Sequence, residues 1–317
     1  MEGDKVRTRL IGKYNGHEDG PLFVCMGAMH GNEPAGVRAI ELVLKMLEVE
    51  PIRHPQFRYK GNFVGLIGNL RAFNAQKRFI NKDLNRSFDA EEMRRLQALP
   101  PESLASEEKE MVELDNAIKG LIEEYGSRQL FFLDLHTTSS HGGIFTICRN
   151  REEDIELGKA MHAPIVLGII EGLQGTTLHY FVSENMGIET TPITFESGQH
   201  TEDLSVTRAV AAIINCMKAI GSVEEDVVEN HHEKILIKYS DPLPQVTRLI
   251  GRHAIDETDE FVMNPGYQNF QKVTKGEVLA TDKKGDIAIE QDGLILMPLY
   301  QKQGEDGFFI VKEVSEK

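Results

Sequence analysis

Cysteine is scarce in this sequence, with three residues among 317. Cys25, Cys148 and Cys216 are odd in number, and each lies in an apolar stretch typical of a strand or a helix. A disulfide framework needs paired cysteines and a cysteine-based metal site needs clustered ones, so the pattern favours neither. We interpret all three as buried thiols of a protein in a reducing compartment.

Long apolar runs are also absent, and acidic residues outnumber basic ones, 50 to 35. No stretch approaches the roughly 18 apolar residues that a membrane span requires, and residues 1–5 show no apolar signal core. We therefore expect a cytoplasmic protein with no membrane partner. The formal net charge of −15 argues against nucleic acid as a partner, although local arginines can still bind a small anion.

Apolar runs alternate with helical periodicity over the first 220 residues or so. Strands are predicted at 5–14, 22–29, 57–70, 130–136, 143–148, 164–169 and 191–196, and helices at 34–50, 89–125, 151–163 and 202–220. Pro51 is expected to end the first helix, and loops are expected at 71–88 and 170–187. This alternation predicts an α/β fold with a mainly parallel or mixed central sheet flanked by helices.

The pattern changes near residue 220. The acidic stretch 221–233 is typical of a linker. Short apolar runs punctuated by glycine follow at 235–237, 276–279, 293–296 and 308–310, and they predict strands. We expect an α/β domain over residues 1–222 and a smaller all-β domain over residues 223–317.

A glycine-rich segment, Gly27 to Gly36, follows the apolar run 22–26 and contains two candidate metal ligands. In an open α/β sheet, ligands bind at such strand ends. His30 offers an imidazole and Glu33 a carboxylate, and both suit Zn²⁺. Because most isolated His-x-x-Glu pairs are incidental surface residues, the pair needs support from elsewhere in the chain.

His136 supplies that support, because it ends another buried strand, 130–136. Together with His30 and Glu33 it forms a three-ligand set with a fourth position open for water, as in catalytic zinc sites. Asp134 shares its side of the strand, since side chains alternate, and could orient the imidazole. His141 lies in the following loop and ranks lower as a ligand. Core hydrogen bonding, capping and surface exposure remain alternatives for His136.

Glu196 ends the apolar strand 191–196. A buried carboxylate is costly unless it is paired or functional, so Glu196 is a candidate base for a zinc-activated water. Capping or a salt bridge is the alternative.

In the loop 77–88, Arg78 could stabilise an oxyanion, while Asn85 and Arg86 could hold a carboxylate. Judged by composition alone, residues 77–88 would be interpreted as an ordinary basic loop.

Four motifs in this order resemble the succinylglutamate desuccinylase/aspartoacylase family. They are His30-Gly31-Asn32-Glu33, the run from Arg78 to Asp83-Leu84-Asn85-Arg86, Asp134-Leu135-His136, and Glu196. The resemblance implies a fold similar to that of the zinc carboxypeptidases, with a C-terminal β domain. It also implies one zinc ion per chain and hydrolysis of the amide bond of a small N-acyl amino acid by metal-activated water.

The resemblance also implies roles for individual residues. His30, Glu33 and His136 match the zinc ligands of the family, and Glu196 matches its general base and proton shuttle. Arg78 matches the arginine that polarises the scissile carbonyl. The pair Asn85 and Arg86 matches the residues that bind a substrate carboxylate.

Two departures limit what the resemblance implies. Aspartoacylases carry a further substrate-binding arginine about ten residues before the catalytic glutamate, whereas residues 183–187 here contain none and include Glu184. Their C-terminal substrate-binding tyrosine would fall near Phe308 and Phe309, and equivalence of the nearby Tyr300 is doubtful. The preferred acyl group and amino acid are therefore not inherited.

Two further functions stay open at this stage. A zinc carboxypeptidase acting on short peptides would use the same carboxylate-binding loop. A homologue that binds a metal or a small molecule without catalysis would keep the fold, although the complete set of ligands and base argues against it. Homo-oligomerisation is also open.

Overall fold

The computed structural model describes residues 7–224 and 231–314. Its strands are β1 (Leu10–Asn15), β2 (Glu18–Gly27), β3 (Lys60–Ile67), β4 (Gln129–Thr138), β5 (Phe145–Ile147), β6 (Ile165–Leu167), β7 (Glu189–Gln199), β8 (Val246–Ala254), β9 (Val262–Met263), β10 (Lys272–Val273), β11 (Val278–Asp282), β12 (Gly285–Ala288), β13 (Gly293–Leu296) and β14 (Asp306–Glu313). Its helices are α1 (Ala35–Arg53), α2 (Leu70–Asn74), α3 (Ala90–Gln97), α4 (Ser106–Tyr125), α5 (Glu152–Ala160), α6 (Ile169–Gly172), α7 (Thr177–Tyr180), α8 (Ser183–Met186), α9 (Asp203–Ala219) and α10 (His231–Ser240), with 3₁₀ turns at Leu84–Arg86 and Pro101–Ser103. In these two ranges, no helix has the length and apolar character needed to cross a membrane.

The described strands form one large mixed sheet and one small antiparallel sheet. The large sheet has the order β1-β3-β2-β4-β7-β5-β6-β8-β14-β13-β10, and the small one has the order β12-β11-β9. Strands β3, β2, β4 and β7 are parallel neighbours, whereas β5 pairs antiparallel with β7. The predicted α/β class with a mixed central sheet is confirmed.

Helices cover both faces of the sheet, and strand β2 shows why. Phe23 and Cys25 pack in the core beneath α1 and α9, while Leu22, Val24 and Met26 pack against the face covered by α4. All five side chains have no exposed surface. Full burial of an aliphatic or aromatic side chain is worth about 1.5–3 kcal/mol, so a continuously apolar strand is stable only between two layers of helices.

Four of the C-terminal strands, β8, β14, β13 and β10, extend the main sheet, whereas β9, β11 and β12 form the small one. β8 pairs in parallel with β6, and β14 and β13 follow by antiparallel pairing. The strands predicted at 276–279, 293–296 and 308–310 are present as β11, β13 and β14. The division at residue 222 stays a prediction.

The strand predicted at 235–237 is wrong, because these residues lie in helix α10. A three-residue apolar run carries no periodicity that separates strand from helix. In the structure Leu236 is fully buried in the core and Tyr239, three residues later, packs against the same core. Ile237 is 44% exposed, as expected for the outer side of a helix.

Other predicted boundaries shift by a few residues. Helix α1 continues through Pro51 to Arg53, because a proline near the end of a helix removes one hydrogen bond where few remain to be lost. The expected loops 71–88 and 170–187 contain one-turn helices. Part of the predicted strand 5–14 and part of the predicted linker 221–233 lie outside the described residues.

Candidate active site

The first two candidate ligands lie on a tight turn between β2 and α1. Ala28 has a φ of 55°, and the Glu33 amide donates to the His30 carbonyl at 3.0 Å. Gly31 approaches α2 so closely that a Cβ atom would lie 2.2 Å from the carbonyl carbon of Ala72. Only glycine fits there, so the motif holds His30 and Glu33 against the sheet edge.

His136 reaches the same point from β4, the strand next to β2. His30 Nδ1 lies 2.8 Å from Glu33 Oε1, and His136 Nδ1 lies 3.2 Å from Glu33 Oε2. One ligand atom from each residue lies within 4.8 Å of the other two, and all three side chains are buried. Two imidazoles and a carboxylate that converge in this way could hold a metal ion such as Zn²⁺.

Two aspartates lie against the opposite nitrogens of the histidine rings. Asp83 Oδ1 is 3.2 Å from His30 Nε2, and Asp134 Oδ2 is 3.1 Å from His136 Nε2. Contacts of this kind orient imidazoles at metal sites. Strand alternation predicted the position of Asp134. We missed Asp83 in the sequence, although it stands two residues before Asn85 in the motif carried by the family.

The electrostatics of this cluster favour a bound cation. Burial alone would raise the pKa of Glu33, but the charges and hydrogen bonds of His30 and His136 hold that pKa well below its ordinary value. Burial alone would lower the pKa of His136, but Asp134 and Glu33 raise it well above its ordinary value. A site that draws a proton onto a buried imidazole also attracts a metal cation.

Glu196 lies beside the ligands because its strand pairs with theirs. In the parallel pair β4–β7, Glu196 stands directly opposite His136. Its side chain is 6% exposed, and its Oε2 atom has no hydrogen-bond partner in the described structure. Burial raises the pKa of Glu196 to about 8; the nearby Glu33 carboxylate also raises it, while His136 opposes the shift. A carboxylate in this state can both accept and return a proton near neutral pH.

Arg78 faces the same point from the loop after α2. Its Nη2 donates to Asp83 Oδ2 at 3.1 Å, and its Nη1 lies 3.5 Å from Glu33 Oε1. The structure thus brings a guanidinium to the edge of the ligand cluster, where negative charge on a substrate oxygen would be stabilised.

Asn85 and Arg86 line the cavity from the 3₁₀ turn that follows Asp83. Asn85 Oδ1 accepts from the Thr177 amide at 3.0 Å. Arg86 Nη2 donates to Asp306 Oδ2 at 2.6 Å, and Asp306 also accepts from Arg252 Nε at 2.5 Å. Sequence reasoning missed Asp306, because it lies 220 residues from Arg86 and no local pattern connects them.

One cavity of about 100 Å³ is lined by the three candidate metal ligands together with Glu196, Arg78, Asn85, Arg86 and Asp306. Phe309 of β14 also lines the cavity, near the position where the resemblance would place the substrate-binding tyrosine of aspartoacylases. Tyr300 does not line the cavity; its hydroxyl donates to the Asn264 carbonyl at 2.9 Å. His141 is exposed and outside the ligand cluster, and Glu184 is exposed on α8.

Comparison with known proteins identifies the family. Residues 19–220 match the succinylglutamate desuccinylase/aspartoacylase catalytic domain. The chain belongs to this family. The names of the family indicate deacylases, which are hydrolases acting on small molecules. The motifs that suggested the resemblance all lie inside the matched residues.

Individual relatives agree with this assignment. The chain is 28% identical over 272 residues to a succinylglutamate desuccinylase of Shewanella sp. strain MR-4, covering 83% of this chain and 74% of that one. The fold is similar to that of the ectoine utilization protein EutE (DoeB) from Ruegeria pomeroyi, with a TM-score of 0.64 at 18% identity, covering 95% of this chain and 87% of that one. It is also similar to murine aminoacylase 3, with a TM-score of 0.61 at 18% identity, covering 94% and 96%.

Proposed function

We propose that this protein is a zinc-dependent hydrolase that cleaves the amide bond of an N-acyl amino acid. Water is consumed, and a carboxylic acid and the free amino acid are released. The observation that carries the proposal is the convergence of His30, Glu33 and His136 beside a buried, unpartnered Glu196 oxygen. Membership of the succinylglutamate desuccinylase/aspartoacylase family supports the same reaction class.

The residues present fit a zinc ion. The donor set of two imidazoles and one carboxylate is typical of catalytic zinc, and Asp83 and Asp134 supply the contacts that orient the rings. When bound, zinc supplies Lewis acidity, lowering the pKa of a coordinated water and polarising a carbonyl. His30, Glu33 and His136 would hold it, and one ion per chain is expected.

The remaining groups divide the work between proton transfer and charge stabilisation. Glu196 accepts a proton from the attacking water and returns it to the departing nitrogen, a role that its pKa near 8 suits. Arg78 stabilises the oxyanion that develops on the scissile carbonyl. Asn85 and Arg86 hold a substrate carboxylate, and they thereby place the amide near Glu196.

Metal content and turnover of the purified protein test the proposal together. About one zinc per chain, with release of free amino acid from N-acyl amino acids and slower cleavage of blocked dipeptides, is the expected result. Preferred cleavage of dipeptides would make the protein a carboxypeptidase. A zinc-loaded protein inert toward a broad panel of acyl amino acids would overturn the assignment and leave a binding protein. A cytoplasmic location stays a prediction from sequence.

A further inference from the structure

One wall of the active-site cavity is apolar. Six of its lining side chains belong to a single hydrophobic cluster that is continuous with the core beneath β5, β6 and β14: Ile147, Ile169, Ile170, Leu173, Leu178 and Phe309. These residues come from four separate segments of the chain, so no single helix accounts for the apolar surface. A substrate group that lies against this wall loses its contact with water and gains no polar partner there.

The positive charge beside this wall is limited. Arg78 is engaged by Asp83 and Glu33 at the metal-ligand cluster. Arg86 and Arg252 share the Asp306 carboxylate, so two guanidinium groups and one carboxylate leave one uncompensated positive charge. Glu305 adds further negative charge near Arg86. Among the described residues that line the cavity, Arg78 and Arg86 are the two arginines, and no lysine joins them.

This charge balance leaves no positive charge to pair with a second substrate carboxylate. A substrate with a second carboxylate would have to place it against the apolar wall or beside Asp306. Both positions are unfavourable, the first because an unpaired buried charge is desolvated and the second because like charges repel.

Resting on the function proposed above, we propose that the substrate class is an N-acyl amino acid with a single carboxylate and an apolar acyl chain or side chain, and that Asp306 sets this specificity by neutralising Arg86. The apolar group lies against the wall of Ile147, Ile170 and Phe309, while the one carboxylate is held by Asn85 and Arg86. Dicarboxylic compounds such as N-acetylaspartate and N-succinylglutamate are rejected.

A substrate panel tests this class directly. The zinc-loaded full-length enzyme is assayed with N-acetylleucine, N-acetylmethionine and N-hexanoylglycine against N-acetylaspartate and N-succinylglutamate. We expect kcat/KM for the best apolar compound to exceed that for either dicarboxylic compound by at least about 100-fold, since an unpaired buried charge is strongly discriminated against. A preference for a dicarboxylic compound would overturn the inference and leave the proposed function intact. Failure to hydrolyse any compound would instead refute the proposed function.

Asp306→Asn tests the source of the specificity. Removal of this carboxylate leaves the two arginine charges opposed only by Glu305 and Asp83, so the ratio of kcat/KM for N-acetylaspartate to kcat/KM for N-acetylleucine should rise at least about tenfold. Asp286→Asn, on the exposed surface of β12, should leave the ratio unchanged. An unchanged ratio in a folded Asp306→Asn protein would refute the role of Asp306.

Ile170→Ala tests the apolar wall independently, should Asp306→Asn fail to fold. It should lower kcat/KM for N-acetylleucine or N-hexanoylglycine, whichever is preferred, by about tenfold and leave N-acetylglycine nearly unaffected, because only the apolar group loses contact. Ile52→Ala, at a residue 79% exposed on α1, is the matched control and should change neither substrate. An equal loss with both substrates in Ile170→Ala would show a merely structural role and contradict the proposal.

Discussion

Two arginines line the active-site cavity and each is bound to an aspartate, but the two pairs are built differently. Arg78 and Asp83 are five residues apart on one loop, with a contact of 3.1 Å. Arg86 and Asp306 are 220 residues apart, with a contact of 2.6 Å. The first pair lies beside the candidate metal ligands, a region called the metal end below, and the second lies beside Asn85 at the proposed carboxylate-binding end.

This difference separates residues inside the matched catalytic domain from residues beyond it. The metal end is assembled from adjacent strand ends and one loop, all inside the matched residues 19–220. The carboxylate-binding end depends on β14, which lies beyond them. We infer that chemistry is built into the first region and that substrate choice is set where the second region meets it.

The largest expected effect comes from breaking the metal end. His136→Ala should reduce the zinc content from about one per chain to near zero and abolish turnover, because two ligands cannot hold the ion in a catalytic site. Elemental analysis of the purified protein measures the zinc content. His54→Ala, an exposed histidine on the surface, should retain both metal and activity. Zinc retained at the wild-type level in His136→Ala would exclude this ligand set.

Glu196→Gln should separate metal binding from catalysis at the same end. The amide keeps the shape of the side chain but cannot accept the proton, so kcat should fall by about 10²–10⁴ while zinc content stays at one per chain. Glu189→Gln, at the exposed start of the same strand, serves as the control. A Glu196→Gln enzyme within twofold of the wild-type kcat would refute the assignment of the base.

Asp83→Asn probes the contact that orients His30. The amide oxygen can still accept a hydrogen bond, but the negative charge beside the ring is lost, so zinc affinity should fall by about 10–100-fold. Competition with a chelator measures this affinity. Asp89→Asn is the control and should leave zinc affinity unchanged. The Asp89 side chain accepts from the amides of Glu91 and Glu92 at the start of α3, and an asparagine oxygen can do the same.

The smallest effect is expected at the carboxylate-binding end, on its partly exposed arginine. Arg252→Gln removes one positive charge and leaves Asp306 paired with Arg86 alone, so a substrate carboxylate should bind less tightly. Because partly exposed ion pairs contribute little free energy, KM for an N-acyl amino acid should rise by no more than about fivefold. The value of kcat should hold, because Arg252 does not line the cavity. Steady-state kinetics separate the two parameters, and a fall in kcat with unchanged KM would contradict this role.

The α/β class and the candidate residues of the metal end could both be predicted from local patterns in the chain. Buried strands are long apolar runs, and the side chains that follow parallel strands meet at one edge of the sheet. His30 and His136 could therefore be predicted to lie near each other from the sequence. Strand alternation also placed Asp134 on the side of His136. Where the local signal was a three-residue apolar run, at 235–237, the prediction of a strand was wrong.

Contacts between residues far apart in the chain could not be predicted in this way and are known from the fold. The contact of Arg86 with Asp306, the burial of Glu196 opposite His136, and the apolar wall shared by Ile170 and Phe309 all depend on the order of strands in the sheet. Periodicity reports how one segment divides between core and solvent. It carries no information on which distant segment lies next to it, because that is set by packing over the whole chain.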